Sequence, residues 1–226
     1  MPVPLLVFIA LGVTSLLVGT TITMTWDALQ VALRGKRVAI LGARGVGKTH
    51  LTGFLSLGSI PEGYKQTLAP EKSLGRRFQL RDLDLKIKHS LDVSGDKAAY
   101  GEWKELHDQA DIVFYLLRAD RLIAGDVDTE NRVRDDLRHI GGWLAARQPR
   151  PMLFIIGTHC DFDAEFGTLS PDRMGDYVDR FRRLPVVTEL VSRGGGAVQA
   201  KVVLGSLKTF EHTEALVYQI FMQVAP

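Results

Sequence analysis

Residues 36–49 read KRVAILGARGVGKT, an apolar run that enters a glycine-rich turn and leaves it on a lysine and a threonine. The turn, Gly42 to Thr49, fits G-x-x-x-x-G-K-[ST]. Glycines let successive backbone N–H groups point inward around an anion, and the helix that follows adds the positive end of its dipole. An ordinary glycine turn has no need of a lysine at a helix start. Lys48 is placed to reach the β- and γ-phosphates of a nucleotide, and Thr49 to offer its hydroxyl to Mg²⁺. Gly42, Arg44, Gly45, Val46, Gly47 and His50 complete the stretch expected to contact the ligand. Arg44 is unusual inside such a loop. It either lies over the phosphates as a finger in cis or points to solvent, and solvent is the favoured reading.

The strand–loop–helix opening also bears on fold class. Further apolar runs appear as RRFQLRDL, DLKIKHSLDV, DIVFYLL, PMLFIIG and AKVVLG. Amphipathic segments lie between them, near 97–109, 128–147, 171–183 and 209–224. In the second of these, Val133, Leu137, Ile140 and Leu144 recur at helical spacing. Alternating strands and helices predict an α/β domain, a mostly parallel six-stranded sheet with helices on both faces. RRFQLRDL and DLKIKHSLDV are joined by only a short polar link, so the pair is expected to form an antiparallel hairpin at one edge. The triplet Gly194 to Gly196 reads as a flexible surface loop, because no helix signal follows it.

The first 26 residues, Met1 to Trp26, contain no charged side chain. The run PLLVFIALGVTSLLVGTTITM is long enough to cross roughly 30 Å of hydrocarbon at about 1.5 Å per residue. Trp26 suits the interface, where its ring is favoured. A cleaved signal peptide would carry a basic n-region, which is missing here. A buried core helix is the other reading, although so long an uncharged run is unusual for one. Residues 1–25 are therefore expected to be a transmembrane anchor, 26–35 a juxtamembrane connector and 36–226 the globular body. Arg34, Lys36 and Arg37 lie just behind the span with nothing basic before it, which places the N-terminus outside and the body in the cytoplasm. Gly12, Ser15 and Gly19 fall near one helix face and would permit close packing.

A net charge of +2 gives no electrostatic case for nucleic acid. The single cysteine, Cys160, rules out an intramolecular disulfide. His159, Cys160 and Asp161 resemble a metal or thiol cluster only in isolation. On an extended segment they would point to alternate faces, and no second ligand pair is evident. The acidic run GDVDTEN departs from a calcium loop at its sixth and twelfth positions and reads better as a solvated helix start.

Three more segments concern the nucleotide. LDVSG supplies Asp92 and Gly95, the carboxylate for Mg²⁺ and the N–H for the γ-phosphate. FIIGTHCD ends on Asp161, able to accept from the N1–H and exocyclic amine of guanine, a donor pair that adenine lacks. LGSLK, with Ser206, Leu207 and Lys208, would face the guanine O6 through its backbone.

In this order the parts resemble the small GTPase superfamily over roughly residues 36–224. GARGVGKT is similar to the first motif, Thr67 in YKQT to the second (with Ser73 as fallback), DVSG to the third, THCD to the fourth and SLK to the fifth. DVSG, Trp103 after it and IVFYLLRADR resemble most the Arf/Sar group and the signal-recognition-particle receptor β subunit, which also has one N-terminal span. The resemblance implies GTP or GDP with Mg²⁺ held by Thr49, Thr67 and Asp92. It also implies a GTPase acting as a membrane-bound switch with a protein partner. Two departures stand out. The fourth motif has Thr158 for Asn and His159 for Lys, so a histidine ring could stack where a lysine stem normally packs on the base. Asp96 follows the third motif where a Gln or His would orient water, which predicts slow hydrolysis. Lys48 and Asp96 are thus the candidate catalytic residues. The alternatives are a non-hydrolysing GTP-binding scaffold of a membrane assembly and a P-loop ATPase or kinase.

Overall fold

The computed structural model describes residues 34–57, 86–89 and 97–224. Within these, five strands run parallel in the order β2-β1-β3-β4-β5. They are β1 (Arg37–Gly42), β2 (Lys86–His89), β3 (Ile112–Arg118), β4 (Met152–Thr158) and β5 (Ala200–Leu204). The helices are α1 (Lys48–Leu57), α2 (Lys97–Gln109), α3 (Ala119–Ile123), α4 (Val127–Ala146), α5 (Pro171–Arg182), α6 (Pro185–Arg193), α7 (Gly196–Gln199) and α8 (Phe210–Met222).

β1, β3, β4 and β5 are apolar at nearly every position because both faces of the sheet are covered there, whereas the edge strand β2 reads KIKH. Successive side chains alternate between the faces. Val38, Ile40, Ile112, Phe114 and Leu116 pack with α1 and α8 through Leu51, Phe54, Leu216 and Ile220. Their neighbours Ala39, Leu41, Val113, Tyr115 and Leu117 pack on the opposite face with Trp103 of α2, the Val133–Leu137–Ile140–Leu144 stripe of α4, and α5 and α6. From β1 the chain crosses one way to β2 and then returns past β1 to β3. In a parallel sheet this reversal opens a crevice at the carboxyl ends of the strands, next to the loop that follows β1.

The four amphipathic segments became α2, α4, α5 and α8. Asp126 caps α4, accepting from the Thr129 N–H at 2.7 Å, so the acidic run is a helix start. Of the expected edge hairpin, DLKIKHSLDV supplies β2, which pairs in parallel with β1. RRFQLRDL, the segment expected to supply the sixth strand, lies outside the described residues. The glycine triplet is not a loose loop. Gly194 closes α6, its N–H bonded to the Leu190 carbonyl, and Gly195 (φ 102°) and Gly196 (φ 77°) turn the chain at once into α7. No helix among the described residues is long and apolar enough to cross a membrane. The proposed anchor at 1–25 lies outside them. Arg37, counted with the cytoplasmic positive charges, heads β1 and forms an ion pair with Asp111 at 3.1 Å.

Candidate nucleotide-binding site

Three loops meet at the carboxyl end of the sheet, following β1, β4 and β5. The first is the glycine-rich turn. Gly42, Gly45 and Gly47 have φ of 144°, 77° and 96°, conformations that an L side chain rarely adopts. Gly42 is required for space as well, whereas Gly47 faces only the movable end of the Leu207 side chain. A Cβ on Gly42 would stand 2.4 Å from the Leu116 carbonyl oxygen, and one on Gly47 would stand 2.5 Å from Leu207 Cδ1. Lys48 is buried, and its Nζ donates to the carbonyls of Gly42 (3.0 Å) and Ala43 (2.9 Å), closing the turn on itself. Thr49 and Arg44 are exposed, and His50 is half-buried. Arg44 is exposed at the rim of the turn, a position open to either of its two readings.

The second loop begins at Thr158, which is fully buried. Its Oγ1 lies 3.0 Å from the Val46 carbonyl oxygen, 3.1 Å from that of Leu117 and 2.8 Å from His159 Nδ1. The hydroxyl has one proton to donate, so the two carbonyls share it. In a trans peptide the C=O and the next N–H point to opposite sides. Holding the Val46 carbonyl toward Thr158 therefore turns the Gly47 N–H away from β4. Thr158, counted among the ligand contacts, thus sits beneath the loop and shapes it.

His159 has φ 63°, ψ 25°, and among the described residues it alone has positive φ without being glycine. The segment after it is not extended as expected: Cys160–Phe162 form a 3₁₀ turn. That turn buries Cys160, and burial pushes its thiol pKa far above the ordinary value. Burial, with Arg118 nearby, holds the His159 pKa below its ordinary value.

The third loop supplies the partner of Asp161. Ser206 Oγ donates to Asp161 Oδ1 at 2.6 Å, and Lys208 Nζ stands 3.9 Å from Oδ2. The Lys208 N–H donates back to Ser206 Oγ at 3.0 Å. The Asp161 side chain keeps 12% of its surface open. It is a preset carboxylate, fixed chiefly by Ser206, 45 positions away. Leu207 packs on Gly47, joining this loop to the first. The structure therefore brings Gly42–His50, Thr158–Asp161 and Ser206–Lys208 together. Thr67, Ser73, Asp92, Gly95 and Asp96 lie outside the described residues, and no group of three or more potential metal ligands occurs among those described.

Sequence reasoning passed over Arg118 and Phe162. Arg118, at the end of β3, is held by Asp120, with Nε 2.8 Å from Oδ1, and its guanidinium carbon lies 5.5 Å from the Phe162 ring centre. The resemblance singled out the Asp-Arg end of that segment, Asp120 and Arg121, and not Arg118. Nothing marked Phe162. Beside the loops, a cavity of about 200 Å³ runs between the glycine-rich turn and α4, edged by Arg44, Arg118, Arg121 and Arg132. It is not lined by Asp161, Ser206 or Lys208. At its floor Asp136 is buried, accepting from the hydroxyls of Tyr100 and Tyr115 at 2.8 Å each.

No family model and no curated protein matches the chain. Among solved structures it matches an ADP ribosylation factor-like GTP-binding protein, the small COPII coat GTPase SAR1 from Encephalitozoon cuniculi, in complex with GDP. The TM-score is 0.52 over 88% of this chain and 82% of that one, at 14% identity. The fold is that of an Arf/Sar-like small GTPase. At this identity the match speaks for the fold. The arrangement of Lys48, Asp161 and Ser206 comes from the chain's own geometry.

Proposed function

We propose that the chain is a membrane-anchored GTP-binding switch with slow intrinsic hydrolysis. The observation that carries the guanine reading is the Asp161 carboxylate. It is held open by Ser206 at 2.6 Å and tied through Leu207 and Thr158 to a phosphate-type loop. A rigid carboxylate rewards the paired N–H donors of guanine and meets no such pair on adenine. Lys48 would hold the β- and γ-phosphates. Thr49, exposed at the start of α1, fits a Mg²⁺ ligand, with Thr67 and Asp92 as the other proposed ones. Bound GDP in the similar SAR1 structure supports the same reading. Residues 1–25 would anchor the chain with its body in the cytoplasm, where GTP is available, and a protein partner would read its state. Asp96 adds negative charge where water must approach a γ-phosphate, so turnover should be slow or partner-assisted.

The guanine reading is tested by titrating the purified full chain with guanosine and adenosine nucleotides. Guanine preference is expected, lost in Asp161→Ala. Equal affinity for both bases, or an Asp161→Ala variant with wild-type selectivity, would falsify the reading. Single-turnover assays address hydrolysis. GTP that stays bound with no phosphate released over hours would favour the non-hydrolysing scaffold, the alternative that Asp96 suggests.

A further inference from the structure

Phe162 follows Asp161 directly and is 69% exposed. A lone aromatic in solvent is ordinary. This one is clamped. The Arg118 guanidinium lies 5.5 Å from its ring centre, and the His159 ring lies 5.8 Å away with the planes 31° apart. Arg118 is fixed in turn by Asp120. His159 is fixed by its left-handed backbone and by the contact of Nδ1 with Thr158 Oγ1. Non-glycine residues persist in that conformation only where their surroundings hold them, and such places cluster at ligand clamps. Arg118, Phe162 and the tilted His159 ring thus form one packed row from the end of β3 to the turn after β4, beside the Asp161 carboxylate.

We infer that Phe162 is a positioning residue for the nucleobase. With Arg118 behind it, Phe162 holds the His159 ring as a stacking platform for a purine. The inference rests on the nucleotide-binding reading above and divides its labour. Stacking tolerates any base, because every base has a π-face. Selection among bases comes from hydrogen bonding, here through Asp161. Affinity for purines in general would then be set by the stack, and guanine preference by the carboxylate.

The test uses the full chain, titrated with guanosine, inosine and adenosine diphosphates and with pyrophosphate, which has no base. Phe162→Ala should weaken guanosine and inosine diphosphates by the same factor, about five- to tenfold, the lower range for removing a base-stacking aromatic. Their affinity ratio should not move, and pyrophosphate binding should stay at the wild-type level. Phe162→Tyr keeps the stack and should restore both affinities. The inference is overturned by a Phe162→Ala affinity within about twofold of wild type, by a changed ratio, by an equal loss for pyrophosphate, or by a tyrosine variant as weak as alanine. If the wild-type chain itself shows no preference for guanosine over adenosine diphosphate, the guanine reading falls instead, and the division of roles falls with it.

Discussion

Replacing Thr158 by valine removes one hydroxyl from a fully buried position and leaves the shape almost unchanged. The lost proton bridges the carbonyls of Val46 and Leu117, at 3.0 and 3.1 Å. A neutral hydrogen bond is worth about 0.5–1.5 kcal/mol net, whereas a buried acceptor left without a partner costs about 1–3 kcal/mol. The Val46 carbonyl is the more costly of the two, because Leu117 lies within the β3–β4 ladder. The extra methyl group of valine offsets part of the loss, by about 0.8 kcal/mol. A net destabilisation of about 2 kcal/mol follows, which for a domain of this size lowers Tm by roughly 4–8 °C. Freed from Thr158, the Val46–Gly47 peptide can rotate, so the Gly47 N–H is no longer held for phosphate and nucleotide affinity should fall as well. Thermal unfolding and nucleotide titration of the full chain measure the two effects. Thr158→Ser is the control: it keeps the hydroxyl, loses a methyl worth about 0.8 kcal/mol, and should keep its affinity. A valine variant with wild-type Tm and affinity would refute the bridging role. So would a serine variant that fails as badly as valine, since the methyl group would then be what matters.

The glycines of the phosphate loop should separate by surroundings. Gly42→Ala meets the Leu116 carbonyl at 2.4 Å as well as φ 144°, and should cost roughly 2–5 kcal/mol from conformation and overpacking together. Gly45→Ala has open space and only φ 77° against it, so about 1–2 kcal/mol is expected. Equal losses on urea unfolding would contradict this. Stability should also depend on acid. Burial depresses the pKa of His50, His107 and His159 below the ordinary 6.5. The unfolded chain therefore binds those protons at higher pH than the folded one, and stability should fall as pH drops below 6.5 while staying flat above neutrality. Asp120 acts lower on the scale. Burial raises its pKa, but the Arg118 guanidinium outweighs burial and holds it below the ordinary 3.8, so its contribution disappears as pH falls past that value. Urea midpoints between pH 3 and pH 8 would show both slopes. A midpoint that rises on acidification from neutrality would refute the histidine argument.

Much of the fold was legible because its signals are local. The predicted helices at 97–109, 128–147, 171–183 and 209–224 match α2, α4, α5 and α8 to within a residue or two, since an apolar stripe at helical spacing records which face will be buried. α6 was passed over although Pro185 sits in its first turn and Val186, Val187 and Leu190 share a face. Nine residues are too few for periodicity to stand out against the apolar strand that follows. The expected loop at Gly194 to Gly196 failed for a related reason. The positive φ of Gly195 and Gly196 serves a tight turn between two helices, and composition alone does not tell such a turn from a slack one.

The chain's own sequence determined the phosphate loop, because every requirement there is a backbone requirement met within eight consecutive residues, Gly42 to Thr49. Glycines where φ must be positive and a lysine at a helix start need no distant partner to be recognised. Asp161, Ser206 and Lys208 could each be nominated by motif, but tertiary structure decided how they are held together. Strand order sets loops 45 and 112 positions apart beside one another, so that Ser206 fixes Asp161 and Thr158 holds Val46. The row of Arg118, Phe162 and His159 arises in the same way, from the ends of two neighbouring strands. Local pattern specifies which elements form. Contacts between loops depend on how non-local strands line up, and no spacing along the chain records that.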